Sequence, residues 1–415
     1  MANGKCRIDG DTLIECLDFG EQFLSDFVDK DDINQGEKAP LRIGIGKKSG
    51  LVQLYDSVDP EKMYRKYWYR SGVNESMRRE LLDIVQSAST FVSLRDGDVV
   101  LDIASNDGTM LTYYPEEVVK IGIDPSNVAR NSSQYSDNDI VLINDFFSKK
   151  IYESHSSKKA KIVSVIAMFY DLEDPINFLN QVRDVIHDEG IFVMQISYTP
   201  LTLDQNEFGN FAHEHLCYYT LTVLNAILEE SGFEIVDVVL NSTNGGSIRI
   251  YSTLKGGFGK LDCPLNWYSI GQARLHSLLE YEKYREFDNP NTYASFKSEI
   301  SVLKEQTIAW LKKQAEDGKK VIGYGASTKG NMLLQYYGIT PDLLPYIAER
   351  SEEKWGMYTI GTGIPIISEE EMRSMNPDFL FALPWFFIKS FQIREKELLN
   401  RGTKFVLPQP KLHIL

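Results

Sequence analysis

The stretch FGNFAHEHLCYY, residues 208–219, places His213 and His215 on either side of Glu214 in a crowd of aromatic side chains. Two imidazoles and a carboxylate this close can bind a metal, move a proton or tie backbone groups together. On an extended strand, residues two apart share a face, so both histidines could reach one ion; on a helix they point about 200° apart. A metal also needs further ligands. The H-E-x-x-H spacing is absent, and Cys6, Cys16, Cys217 and Cys263 form no C-x-x-C pair, so the metal reading is weak. An acid–base reading asks for a histidine that titrates near neutral pH and can take a proton from a bound substrate. A buried histidine that merely satisfies backbone groups is the remaining alternative, and His213 fits it as readily as any chemical role.

A second chemistry-bearing stretch is VVLDIASNDGTML, residues 99–111: a strand, a turn at SNDG, then a helix start. Gly108 lets the backbone approach a ligand, and the helix start presents unpaired N–H groups. Asp102, Ala104 and Asn106 lie in the same strand and turn. The next strand ends IGIDPS, which places Asp124, followed by Pro125, where doubly wound folds set a carboxylate on ribose hydroxyls. The turn has one glycine and is not G-x-G-x-x-G, so a ligand with a ribose and no pyrophosphate fits it better, and S-adenosylmethionine is one. NDFFS then offers Asp145 to an adenine amine and Phe146 as a ring against it. AMFYDLEDP, with Ala167 and Met168, is the loop after the fourth strand, beside the ligand's methyl end.

The elements that must position these residues alternate from Asp98 onward. Strands are expected at 98–104, 119–124, 140–145, 160–169 and 189–197 with helical spacers, the pattern of a doubly wound α/β sheet. Two further strands, 232–240 and 246–254, read as an antiparallel edge. Before this unit, residues 1–60 read as short, turn-rich pieces with one hairpin around KKSG, and 61–95 as helix. After it, 265–317 is rich in helix formers, with a long helix ending near Gly318. KVIGYGAS, residues 320–327, opens a second α/β unit: strand, glycine turn, helix, with Lys329 near a possible anion site. Its spacing is not that of Walker A.

Composition bounds the possibilities. A chain of 415 residues suggests about two to four domains. A net charge of −15 argues against a nucleic-acid face. No apolar run reaches the length needed to span a bilayer, and nothing at the start reads as a signal peptide. The expectation is a soluble cytoplasmic protein, monomer or homodimer, with a small-molecule substrate and neither membrane nor nucleic-acid partner.

Taken in order, LDFGEQFLSDFV, SGLVQLYDSVDPEKMY, LDIASNDGTML, NDFFS, HEHLCYYTLTVL, NGGSIRIY, VIGYGASTKGNMLLQYYGI, YTIGTGIPI and LPWFF make the chain resemble the S-adenosylmethionine-dependent sugar C-methyltransferases over nearly its whole length. The resemblance implies a small N-terminal domain (1–75), a class I, Rossmann-like methyltransferase domain (76–260) and a second Rossmann-like domain holding the sugar nucleotide (261–415). It implies His215 as base, Glu214 orienting it or the sugar and Tyr69 at the sugar; His213, a further candidate beside them, stands where this sequence departs from the family. It also implies sugar-nucleotide contacts from Tyr198, Asn244, Gly246, Ser247, Arg249, Tyr324, Ala326 and Lys329. Family members usually bind zinc on two C-x-x-C pairs. Here Cys6 remains, but Asp9, Gly46 and Ser49 stand at the other three positions, so no zinc is expected. Asp171 replaces a frequent histidine, and Ala212 a frequent tyrosine. These departures leave O- or N-methylation of a related acceptor open. An NAD-dependent sugar enzyme using GYGAS is a further alternative, although YIAERS offers only Glu349 as its acid.

Overall fold

Residues 4–58 and 68–415 are described by a computed structural model. Strands β1 (Leu13–Phe23), β3 (Lys38–Gly46), β4 (Val52–Leu54) and β10 (Cys217–Tyr218) form a four-stranded sheet in the order β1-β3-β4-β10, and β2 (Phe27–Val28) pairs with the distant β15 (Tyr358–Thr359). The hairpin around KKSG is present as β3 and β4, with Ile45 opposite Val52. The region is more regular than its turn-rich sequence suggests, because β1 alone runs eleven residues. Register shifts between Glu15 and Leu17 and between Asp18 and Glu21 interrupt its pairing, and Gly20 is in the left-handed region, so apolar alternation does not show in the sequence.

Seven strands form the central sheet: β5 (Val99–Ile103), β6 (Val119–Ile123), β7 (Ile140–Ile143), β8 (Ala160–Ile166), β9 (Ile186–Ser197), β11 (Phe233–Asn241) and β12 (Ser247–Leu254), in the order β11-β12-β9-β8-β5-β6-β7. The strands from β7 to β9 pair in parallel, and β12 runs antiparallel between β9 and β11. β5 is buried at all five positions, which is why it reads as an unbroken apolar run interrupted only by Asp102. Strand order reverses between β5 and β8, so the crevice at their carboxyl ends is the ligand position of a doubly wound sheet.

The helix expected over 61–95 is Glu75–Ala88 among the described residues; part of the expectation, 61–67, lies outside them. Met77, Leu81, Ile84, Val85 and Ala88 make its buried stripe. The SNDG turn leads into a short 3-10 turn, Thr109–Tyr113, rather than into the expected helix. The helical region 265–317 resolves into Asn266–Arg285 and Pro290–Glu316.

The third sheet contains β13 (Val321–Tyr324), β14 (Ile347–Glu349), β16 (Ile366–Ser368), β17 (Phe379–Ala382), β18 (Lys404–Leu407) and β19 (His413–Ile414), in the order β16-β14-β13-β17-β18-β19. It is parallel except for β19, a second Rossmann-like arrangement. The helix Thr328–Tyr337 comes after β13; Ser327 caps it by accepting from Gly330 N at 3.0 Å, and left-handed Gly338 closes it. Its outer face meets the N-terminal region, where Phe23 N donates to Gln335 Oε1 at 2.8 Å and Asn331 Nδ2 to Asp26 O at 3.0 Å. One apolar core runs through all three sheets. No helix among the described residues is long and apolar enough to cross a membrane.

Candidate active site

The carboxyl ends of β5, β6, β8 and β9 enclose a cavity of about 310 Å³, at the lower end of the size range of small-molecule sites. Three residues on its wall, Ala104, Asn106 and Ala167, have φ of 60°, 52° and 55°. That region costs a non-glycine residue about 1 kcal/mol or more. Short backbone bonds hold the two alanines there: Ala104 N donates to Ile123 O and Ala167 N to Gln195 O, each at 2.7 Å. The strained tips turn the chain away from the strand ends and leave the space open.

Polar groups converge on this space. Asp124 accepts from Asn106 N at 2.9 Å and from Ser126 N at 2.8 Å; burial raises its carboxyl, against those bonds. Burial pushes Asp102 up to about 7, although the Ser164 hydroxyl donates to it at 2.7 Å. Asn106 accepts from Ser71 N at 2.9 Å and donates to Tyr69 O at 3.0 Å, while Asp107 accepts from Gly72 N at 2.7 Å. The SNDG turn therefore holds the segment 69–72 over the cavity. The Tyr69 hydroxyl is buried with no hydrogen-bond partner among the described residues. Tyr69 lines the cavity, and the missing partner of its hydroxyl asks for an explanation that a bound ligand would supply. These features fit S-adenosylmethionine: a carboxylate at the second strand tip, the ring of Phe146, an acidic wall for a sulfonium and an ammonium, and an unpaired phenol.

Of the expected donor contacts, Asp102, Ala104, Asn106, Asp124, Pro125, Phe146, Ala167 and Met168 line the cavity. Gly108 does not: the Tyr135 ring lies 3.1 Å from where its Cβ would stand. Asp145 is exposed and accepts from Phe146 N at 2.8 Å. Among the expected sugar contacts, Asn244 and Ser247 line the same cavity. The others have internal partners or neighbours. Tyr198 donates to Glu282, Arg249 is held by Gln195, Glu80 and Asp83, and Tyr324 is held by Glu369 and Glu395. Gly246 packs against Leu201. Ala326 N donates to Glu349 at 2.7 Å, and Ala326 O accepts from Lys354 at 2.8 Å. The cavity also uses Met77 and Leu81, which sequence reasoning leaves in an ordinary core stripe, and Gln195. Gln195 alone had a visible signal, a polar residue inside the apolar run IFVMQIS.

The HEH segment lies behind this wall in a loop between a 3-10 turn, Phe208–Asn210, and β10. His213 is anchored to the N-terminal sheet: Nε2 donates to Ala39 O at 3.1 Å, and burial lowers its pKa. His215 Nδ1 lies 2.8 Å from Asn210 O. A carbonyl can only accept, so Nδ1 carries the proton and Nε2 holds a lone pair. Nε2 has no hydrogen-bond partner among the described residues. Burial first, then the Lys329 cation, pushes the imidazole down to about 3. Its ring packs on Tyr170 at 4.4 Å between centroids, and Asp171, next in the chain, lines the cavity. Burial raises Glu214, opposed by Thr328 and Lys329.

The family's zinc positions converge without a zinc-binding donor set. Cys6 Sγ is 3.1 Å from Ser49 Oγ, and a Cβ on Gly46 would lie 3.0 Å from that sulfur. Asp9 is exposed and accepts from Asp11 N. One thiol, one hydroxyl, a glycine and an outward carboxylate do not fit tetrahedral zinc. Leu13, Leu17, Leu41, Ile43, Ile45 and Leu54 pack this region instead.

Comparison with known proteins gives two adjoining family matches: a methyltransferase domain over residues 73–238 and a C-methyltransferase C-terminal domain over residues 242–410. The C-methyltransferase NovU of Streptomyces niveus is 26% identical over 418 residues, 99% of this chain and 96% of that protein. Among solved structures, the plantazolicin methyltransferase BpumL, in complex with a pentazolic desmethylPZN analog and SAH, is 14% identical over 44% of this chain and 86% of its own, with a TM-score of 0.36. An S-adenosylmethionine-dependent methyltransferase of Clostridium acetobutylicum ATCC 824 is 14% identical over 43% of this chain and 92% of its own, with a TM-score of 0.35.

Proposed function

The chain is an S-adenosylmethionine-dependent methyltransferase that carries the C-methyltransferase C-terminal domain, and from that premise we propose that it methylates a carbon beside the carbonyl of a nucleotide-linked ketodeoxysugar. The observation that carries this reading is the tautomer of His215. With Nδ1 committed to Asn210 O, Nε2 carries the lone pair of a buried ring that packs on Tyr170, the residue before the cavity-lining Asp171.

When bound, the donor supplies a methyl group on a sulfonium, a good leaving group toward a carbon nucleophile. Asp124 would hold its ribose, Phe146 its adenine and Asp102 its cationic end. His215 Nε2 would take the proton from the sugar carbon: the C–H bond breaks, an N–H bond forms, and the electron pair passes into an enolate. The orphaned Tyr69 hydroxyl would donate to the enolate oxygen. A low pKa keeps His215 in its basic form throughout the working range. The enolate's negative charge would stabilise the imidazolium that burial and the Lys329 cation disfavour. Enclosure of the reacting groups would limit access of water and keep the nucleophilic carbon close to the donor.

The test is proton exchange. In D₂O without donor, the wild-type protein should exchange the proton beside the carbonyl of a nucleotide-linked 4-keto sugar, and His215→Asn should not. Undiminished methyl transfer by His215→Asn would remove His215 from this role.

A further inference from the structure

Lys329 belongs to the C-terminal unit, in the first turn of helix Thr328–Tyr337, yet its ammonium is enclosed among groups of the methyltransferase domain. Nζ donates to Asn210 Oδ1 and, at 3.1 Å, to Asn244 O. Those two partners lead to different parts of the site. Asn210 O is the acceptor that fixes the His215 tautomer. Asn244 lines the donor cavity and, at φ 54°, is held in the left-handed region. Two buried carboxylates, Glu207 and Glu214, face the ammonium, and the Trp385 indole of the C-terminal unit donates to Glu207. The space is closed on the backbone side: a Cβ on Gly209 would stand 2.8 Å from Lys329 Cβ and 3.0 Å from Glu207 Oε1. A lysine with both contacts inside the protein and two carboxylates around it is poorly placed to grip a phosphate.

We propose that Lys329 is a positioning residue for methyl transfer: its ammonium locks Asn210 and Asn244 together and so holds the His215 base and the wall of the donor cavity in one frame. The methyl-transfer site is then incomplete without the C-terminal unit, which contributes a fixed charge to it. The titratable groups around this charge are Glu207, from the turn before Phe208, Glu214 and His215, from the HEH loop, and Lys329 itself. The ring of Tyr170 packs on His215 from the loop after β8. The ammonium disfavours imidazolium, so its removal lets His215 protonate more readily.

This inference rests on the proposed role of His215, and the experiment separates the two. Histidine ¹⁵N NMR of the full chain, titrated without substrate, reads the ring directly. Wild type should keep His215 neutral at Nε2 to below pH 5. Lys329→Met should raise its midpoint by about one unit or more, and Lys329→Arg should leave it low. With nucleotide sugar and donor, Lys329→Met should lower kcat at least tenfold with KM for the sugar within threefold, and Lys329→Arg should recover part of it. An unmoved midpoint, or a raised KM with unchanged kcat, overturns the proposal and returns Lys329 to the role of a phosphate contact. Should Lys329→Met fail to fold, Lys329→Gln carries the same two readouts. Wild-type protein that transfers no methyl to the sugar, but whose His215 midpoint moves on Lys329→Met, counts against the substrate reading and leaves the coupling standing.

Discussion

The central and C-terminal sheets solve the same local problem in the same way, yet among the described residues they differ at the strand tips, where the central sheet opens onto the cavity proposed for the methyl donor. In both, an acid at the tip of the second strand accepts from the backbone of the turn after the first. Asp124 takes Asn106 N at 2.9 Å, and Glu349 takes Ala326 N at 2.7 Å. They differ in how the turn is built. In the central sheet, Ala104, Asn106 and Ala167 adopt left-handed backbone and line the cavity, the Asn106 side chain being bonded to Ser71 N and Tyr69 O. In the C-terminal sheet, a glycine makes the turn, and the place of its missing Cβ is taken by Pro384, 2.7 Å away. Lys354 then closes on Ala326 O. Topology alone therefore does not make a donor site. Strain at the strand tips keeps one crevice clear, while a relaxed glycine lets the other fill with protein.

The largest effect expected of this contrast is on turnover. His215→Asn should lower kcat by roughly 10²–10⁴ and leave donor affinity intact by calorimetry. Glu349→Gln, in the filled crevice, should leave donor affinity unchanged too. Next in size is a pH effect that tracks the central sheet, since β13 carries no carboxylate. Asp102 is raised by burial from 3.8 to about 7. Between those values the native chain binds more protons than the unfolded chain, so this group's stabilising contribution is full below pH 3.8 and is lost as pH rises through 7. Urea denaturation at pH 5 and pH 8 should show a fall on the order of 2–4 kcal/mol from this group in wild type, and Asp102→Asn should lack it. Asp124→Ala should weaken donor binding about ten- to a hundredfold, the value of a charged hydrogen bond. A similar loss with Glu349→Gln would break the contrast between the sheets. The smallest expected effect is on strain: Ala104→Gly should stabilise the fold by about 1 kcal/mol, while Gly325→Ala should destabilise it, both read from urea midpoints.

Much of this was legible in the sequence because buried parallel strands read as continuous apolar runs. VVLDI, VKIGI and KIVSVI therefore gave both the strands and the acid at the second tip. The 3-10 turn after SNDG was not, since local composition does not separate one tight turn from a helix start. Left-handed alanines were hidden, because alanine carries no sequence mark for a backbone it rarely adopts. Strand β1 was hidden by its bulges. The HEH segment was recognisable as chemistry, but its division was not. His213 is committed to Ala39, 174 positions away, and the Asn210–Lys329 contact spans 119. Tertiary contacts at such separations leave no local spacing to read, so the internal partners of Lys329 do not show beside its glycine turn.

The methylated atom is the most direct test of the account. The protein should be incubated with donor labelled with ¹³C at its methyl and with a panel of nucleotide-linked 4-keto sugars, and the product methyl examined by carbon–proton correlation NMR. The account predicts a labelled methyl bonded to the carbon beside the carbonyl, with the proton at that carbon lost. A labelled methyl on oxygen or nitrogen, or donor consumption with none of these sugars, would contradict it.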